Sequence, residues 1–470
     1  MKRAKWLGVG LLTMLLGACS QVQKTSEEAG TKLPGTGQGT EEEAPGTGGS
    51  GAPSHAPSTQ RPQHFSREWY VGPSGSDHAA GSKQAPFRTI RRALKAVGPG
   101  EVIQVLPGIY AESVVIDGDV KPGRKDAPIT LKSQGRVRIF PGGGGTLVQI
   151  RKPHWIVEGF EIDVRKQPRF AVLFEGNTEG SMLLGSHIHD GTLGGGVTTF
   201  GGAHGVTIEG NNIHDFHKKP RGDSHGIVVQ ATSRDITIRD NDIHDNSGDS
   251  VQCLKPDRPG QTPARGLLIE KNRLYSNDEN AVDIKTCSNV VIRDNDMHDF
   301  RKSATSAGEA VVVHYSARDV RVVNNRIAVA GRGISIGGVK DGHQPNPTAV
   351  EVEGNRITDI EKTGGSDGTG IRVENAKDVA VVGNTIDKTE GYGLMVGLGA
   401  NNAPSENVTV AENVVRSPNL VRLGRHRPGL RMDRNRYAKG GLLKADPKEV
   451  RDLTQWKSLS GVDVTSSQVP

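Results

Sequence analysis

Aromatic side chains are scarce in this chain: 4 Trp, 6 Tyr and 9 Phe make up 4% of its 470 residues, and hydrophobic residues reach only 34%. A deep, aromatic-rich globular core is therefore excluded, and a thin core of small and β-branched side chains is favoured. Cysteine is limited to three residues, which permit at most one disulfide. No basic cluster is interleaved with aromatics, so nucleic acid is not an expected partner, although a formal charge of +6 favours polyanions of some kind. The one apolar run, residues 6–16, is shorter than the ~20 residues a membrane-spanning helix needs. Glycine is plentiful instead, with 62 residues. Glycine turns corners, and a solenoid has many of them.

The N-terminus reads as an export signal. Lys2 and Arg3 precede the apolar run, which ends in Leu16-Gly-Ala-Cys19. That ending resembles the lipobox of bacterial lipoproteins. The resemblance implies cleavage before Cys19, lipidation of its thiol and acylation of the new amino terminus, which together make a stable membrane anchor. Ser20 resembles an outer-membrane sorting context, so a cell-envelope location, at the outer membrane or cell surface, is expected. Residues 20–65 are rich in Gly, Ser, Thr, Pro and Glu without an apolar period, and read as a flexible tether.

Residues 66–416 read as one repeat domain. A cap comes first: Phe87, Ile90, Leu94 and Val97 have helical spacing after Pro86, and an amphipathic helix there would plug the open end of a solenoid. The repeat unit is an apolar alternation followed by Asn-x-Ile, marked by Asn211, Asn241, Asn272, Asn295, Asn325, Asn355, Asn384 and Asn413. Successive intervals are 30, 31, 23, 30, 30, 29 and 29 residues. Each interval holds short β-runs separated by Gly, Asn or Asp turns, which is one coil. Asn is expected here because it tolerates left-handed backbone at a corner and because stacked amides can bond to one another as a ladder. The expected fold class is all-β, a right-handed parallel β-helix with an N-terminal helical cap. Residues 417–470 depart from the repeat and are expected to cap the other end.

Aligning the coils locates the candidate chemistry. The runs Gly226-Ile-Val-Val-Gln230, Ser250-Val-Gln-Cys-Leu254, Ala281-Val-Asp-Ile-Lys285, Ala310-Val-Val-Val-His314, Gly333-Ile-Ser-Ile-Gly337 and Gly370-Ile-Arg-Val-Glu374 superimpose. Their second and fourth positions face the core, so Cys253 is a core residue. Cys287 lies beyond the strand, and no Cys253–Cys287 bridge is expected. Third and fifth positions are expected in solvent, which places Gln252, Asp283, Lys285 and His314 on one face. Lys285 and His314 become lateral neighbours about 4.8 Å apart. Either can move a proton, with Asp283 beside them. Asp249, Glu279 and Glu309 form an expected acidic rim able to hold a hard cation such as Ca²⁺. Gln252, His225 and Arg372 are candidate substrate contacts. The pairs His189-Asp190, His214-Asp215, His244-Asp245 and His298-Asp299 are read as a solvent-facing stack, interrupted at Tyr275 and Ala328, rather than a metal site.

With these residues in place, the chain resembles the pectate-lyase-like superfamily of parallel β-helix proteins. The resemblance covers residues 69–416 and is carried by Tyr70-Val-Gly-Pro-Ser-Gly-Ser-Asp77, Pro86-Phe-Arg-Thr-Ile90 and Gly100-Glu-Val-Ile-Gln-Val-Leu-Pro-Gly-Ile-Tyr110. Tyr437, Trp456 and Gly461-Val-Asp463 are similar to C-terminal segments of such proteins. Glu279-Asn-Ala-Val-Asp-Ile-Lys285 looks like the lysine-bearing coil of alginate and chondroitin lyases. That likeness implies Lys285 as the base that removes the proton alpha to a uronate carboxylate. It also implies Ca²⁺ near Glu279, with Asp249 or Asp283. Those lyases place an arginine on the next coil, whereas this chain has His314. The expected activity is that of a cell-surface, monomeric polysaccharide lyase acting on an acidic polysaccharide. A glycoside hydrolase using Asp249 and Asp283, or a non-catalytic glycan-binding lipoprotein, is the alternative.

Overall fold

The computed structural model describes residues 61–470 apart from 63, 219–221, 301–305, 339–345, 364 and 398–403. The expected signal peptide, the expected lipidation residue Cys19 and nearly all of the expected tether lie outside the described residues. Among the described residues, no helix is long and apolar enough to cross a membrane.

The chain forms three 14-stranded sheets, and from Val102 to Ala445 each coil contributes one strand to each in turn. The first sheet runs from Glu68–Val71 to Arg431–Asp433, the second from Gly108–Ala111 to Ser467–Val469, and the third from Val114–Ile116 to Lys448–Val450. Strand pairing is parallel throughout, except where Lys448–Val450 folds back antiparallel on Leu442–Ala445. The right-handed parallel β-helix expected from the repeat is thus the fold. Its core is a file of Ile, Val and Leu from alternate strand positions; Ile227, Val251, Val282, Val311, Ile334 and Ile371 stack in register. Alternation is local, which is why the sequence betrays it.

The asparagine ladder is continuous and longer than the repeat pattern indicates. Nδ2 of Asn211, Asn241, Asn272, Asn295, Asn325, Asn355, Asn384 and Asn413 each donates to Oδ1 of the next, at 2.9–3.1 Å, ending on Asn435. Asn435 in turn donates to Oδ1 of the buried Asp463 at 3.1 Å. The left-handed backbone does not fall on the ladder residues. It falls one position earlier, at Gly210, Asp240, Lys271, Asp294, Asn324, Gly354, Gly383, Glu412 and Arg434. Asn is required for its amide, which no other side chain supplies with both donor and acceptor at that reach.

Both ends are closed. Helix Ile90–Ala96 starts where Thr89 accepts the Arg92 N–H at 3.1 Å, and it buries Ile90, Ala93 and Leu94. Phe87 lies before the helix and bridges to Val71 instead. The coils continue past residue 416 through Arg431–Asp433, Arg436–Ala438 and Leu442–Ala445. Helix Leu453–Ser460 then covers the last coil with the fully buried Trp456, whose Nε1 donates to Asp463 Oδ2 at 2.9 Å.

Candidate functional site

The outer face of the third sheet carries a polar patch near its middle. At the central outward position, successive coils place Thr198, Val228, Gln252, Asp283, Val312 and Ser335. Polar Gln252 and Asp283 therefore sit between apolar Val228 and Val312. All six are buried, where solvent exposure was expected. The partly exposed members stand at the strand ends, where Lys285 lies beside His314.

Asp283 organises this patch. Its Oδ1 is 2.7 Å from His314 Nε2, and its Oδ2 is 3.4 Å from both Lys285 Nζ and Gln252 Nε2. Burial opposes its charge, but Lys285 and His314 outweigh burial and hold the carboxyl well below the usual range. Burial likewise opposes the Lys285 ammonium, yet Asp283, then Asp249, push its pKa above the ordinary lysine value. At neutral pH Lys285 is a cation, so the geometry does not support it as a resting base. Gln252, expected to meet substrate, is an internal connector: its Nε2 also donates to Asp249 Oδ2 at 2.8 Å.

A second row flanks the patch, two residues before the first core position. Strict register places His225, Asp249, Asn280, Glu309 and Arg332 in it. Asn280, not Glu279, is the member from its coil, and register counting alone would have found it. Asn280 donates N–H and Nδ2 to Asp249 Oδ1 at 3.0 and 2.8 Å, and its Oδ1 accepts the Glu309 N–H at 3.0 Å. The acidic rim is therefore broken. Glu309 pairs with Arg332 at 2.8 Å and accepts from Ser335 Oγ at 2.7 Å. Arg332 reaches Asp367 at 2.9 Å, and Arg372 pairs with Asp367 and Glu374. Arg372 and Glu309 thus belong to a separate ion-pair network, whose other members the sequence reading missed. Arg372 is already committed to protein carboxylates.

His225, Asp249 and Glu279 do come together, with one donor atom each within 4.8 Å, and all three are buried. His225 Nδ1 faces both the Asp249 N–H at 2.8 Å and Asp249 Oδ2 at 3.3 Å. Ca²⁺ prefers six to eight oxygen ligands. Here one donor is an imidazole and both Asp249 oxygens already accept from amide nitrogens. The set fits a hard cation poorly.

The expected absence of a disulfide is corrected. Cys253 and Cys287 are bonded, with Cα atoms 6.4 Å apart. Cys287 lies past its strand, but the chain turns there, and in this and the neighbouring coils the residue one before the first-sheet strand is buried. Ala203, Ser233, Ala264 and Ala317 occupy that position in other coils, and all are buried. The bridge staples the coil of Gln252 to the coil of Asp283 and Lys285.

A family model described as "Right handed beta helix region" matches residues 161–255 and 262–415. The chain belongs to this β-helix family. A second model, a protein of unknown function (DUF1565), matches residues 73–116 at the cap. The uncharacterized protein YwoF of Bacillus subtilis (strain 168) is 22% identical over 214 residues, 39% of this chain and 43% of its own length. The chain thus matches less than half of that relative. Two solved β-helix structures superimpose with a TM-score of 0.50. One is the GH136 lacto-N-biosidase from Eubacterium ramulus, at 13% identity over 86% of this chain and 68% of that one. The other is the PL6 family polysaccharide lyase Pedsa3628 from Pseudopedobacter saltans, at 15% identity over 71% and 82%. At such identities the likeness is one of fold.

Proposed function

We propose that this β-helix acts on an acidic polysaccharide laid along the third sheet, cleaving it by β-elimination at the Asp283–Lys285–His314 patch. The observation that carries this reading is a buried carboxylate that holds an ammonium and an imidazole side by side at mostly buried positions that still reach the surface. Asp283 orients His314 through Nε2, which leaves Nδ1 as the basic nitrogen. His314 removes the proton alpha to the uronate carboxylate. The C–H electron pair forms the double bond, the β C–O bond breaks, and the departing oxygen takes a proton from Lys285. Before that, the Lys285 ammonium neutralises the substrate carboxylate and stabilises the carbanion. No step is routed through Ca²⁺. A hydrolase using Asp249 is disfavoured, since that side chain is fully buried and its oxygens are satisfied.

The test is release of ultraviolet-absorbing unsaturated product from a panel of uronate polymers. Wild type should release it, and Lys285→Ala and His314→Gln should each lower the rate at least ~100-fold, the scale of general acid–base catalysis. Saturable binding without product would make the chain a glycan-binding protein. Full activity in either variant would sink the assignment.

Export and lipidation at Cys19 belong to the same proposal. A disulfide in the body supports an oxidising compartment. Labelled palmitate should enter the wild-type chain and not Cys19→Ala; equal labelling would refute the anchor.

A further inference from the structure

One aromatic ring and one ammonium border the Asp283–Lys285–His314 patch without having a part in its chemistry. Tyr315 follows His314, and the two ring centroids lie 4.5 Å apart with the planes tilted by 59°. Lys255 starts from the coil before Lys285, yet its Nζ stands 5.0 Å over the Tyr315 ring, on the coil after. His314 in turn is 2.7 Å from Asp283, which also holds Lys285. A continuous row therefore runs from Lys255 across Tyr315 and His314 to Asp283 and Lys285.

Both outer members of the row differ from their surroundings. Along the third sheet Lys285, Arg332, Arg372 and Arg422 are each paired with a carboxylate. Lys255 is exposed and forms no ion pair among the described residues. Tyr315 has left-handed backbone, with φ +52°, at a corner that the next two coils fill with Gly338 and Asn375. That conformation is ordinary for Gly and Asn and uncommon for a bulky side chain. The ring is thus held at this corner against backbone preference, and it is only half-buried. Tyr275 makes the contrast. It sits on the second sheet between His244 and His298, with centroids 4.8 and 5.1 Å away, continuing the histidine stack instead of interrupting it, so both its faces are covered. Only a mobile lysine side chain lies over the Tyr315 face that Lys255 meets.

We propose that Tyr315 and Lys255 form the subsite for the uronate unit next to the one cleaved, the sugar ring lying on Tyr315 and its carboxylate pairing with Lys255. This rests on the reading of the third sheet as the face that holds the polysaccharide. The C–H face of a pyranose is apolar and weakly positive, so it suits the negative face of an aromatic ring. An exposed cation over such a ring is held weakly, so Lys255 leaves Tyr315 readily when a carboxylate arrives. An ammonium gains more from an anion than from a ring, because the hydrogen bonds are then charge-assisted. The subsite requires a polymer with carboxylates on neighbouring units: a neutral glycan would meet the ring and leave Lys255 unused. Its contact with His314 also carries a stacked sugar up to the imidazole that takes the proton.

Calorimetric binding of polygalacturonate and of alginate to the full chain, each beside its carboxyl-reduced neutral form, tests the subsite, with unsaturated product followed in parallel. Lys255→Gln, at an exposed position, should weaken binding of the charged polymer at least ~10-fold, the weight of one charge-assisted pair. The loss should shrink in ~1 M salt, where charges are screened within about 3 Å, and be absent with the neutral polymer. Tyr315→Gly, which suits the left-handed corner and so leaves folding safe, should weaken binding of both forms, and Tyr315→Phe should restore it. In turnover, Lys255→Gln should raise KM more than it lowers kcat. Wild-type cleavage with undiminished affinity in Lys255→Gln or Tyr315→Gly would overturn the subsite and leave the lyase reading standing. An equal loss in Lys255→Gln on charged and neutral polymer would overturn the carboxylate pairing. Binding without product, weakened in both variants, would uphold the subsite and sink the lyase. Wild type that binds neither polymer would overturn both.

Discussion

Reducing the Cys253–Cys287 bond should destabilise the middle of the solenoid by an amount the structure fixes in advance. The two cysteines are 34 residues apart in sequence, a little more than one coil. Loop-closure entropy for such a loop is worth about 3.8 kcal/mol, an upper figure because denatured chains retain some order. Reduction leaves both sulfurs in place, so the buried contacts of the two side chains are largely kept. With a urea slope of about 3 kcal/mol/M, the unfolding midpoint should fall by about 1 M on adding reductant. The effect should be local as well, because each coil leans only on its neighbours. Lys285 N–H donates to the Cys253 carbonyl at 3.2 Å and His314 N–H to the Ile284 carbonyl at 2.9 Å; both amides should exchange faster after reduction. A chain starting at Ser20 should titrate no thiol in denaturant until reduced, and two thereafter. An unchanged midpoint, or two thiols without reductant, would refute the reasoning.

The ladder and the patch give two further expectations. Asn295→Ala removes the acceptor of the Asn272 N–H and Nδ2 and the donor to the Ile269 carbonyl, all buried. At about 1 kcal/mol per orphaned group it should cost about 3 kcal/mol in urea unfolding, and a loss under 1 kcal/mol would contradict the ladder's role. Asp283 is depressed in the folded state, so its contribution to stability is full above the ordinary Asp pKa of about 4 and is lost as pH falls towards its folded value. Asp283→Asn should therefore be less stable than wild type at neutral pH, with the gap narrowing in acid. A gap that stayed constant down to pH ~2 would show that Asp283 is not linked to its partners as described.

The asparagine marks and the Ile/Val columns were enough to recognise coils, because side-chain alternation and turn chemistry act over a few residues of chain. For the same reason the register of Lys285 beside His314 was legible. His225, Asp249, Gln252, Glu279, Lys285 and His314, which surround Asp283, are legible in the sequence, whereas their contacts are not. An outward strand position is not always an exposed one, so Gln252 is buried, and strict register puts Asn280 rather than Glu279 beside Asp249. Glu309 was grouped with acids, whereas Arg332, from the next coil, claims it.

Sequence by itself determined the period, the core-facing positions and the parallel β-helix, since each follows from local preference repeated along the chain. Tertiary structure decided the cross-coil contacts that strand register does not fix. It turned Cys287 inward to Cys253, placed the left-handed residue ahead of each ladder Asn, and raised the Lys285 pKa by burying Asp283 beside it. Those outcomes depend on corner geometry and on burial, which set distance and dielectric between residues some thirty positions apart in the chain.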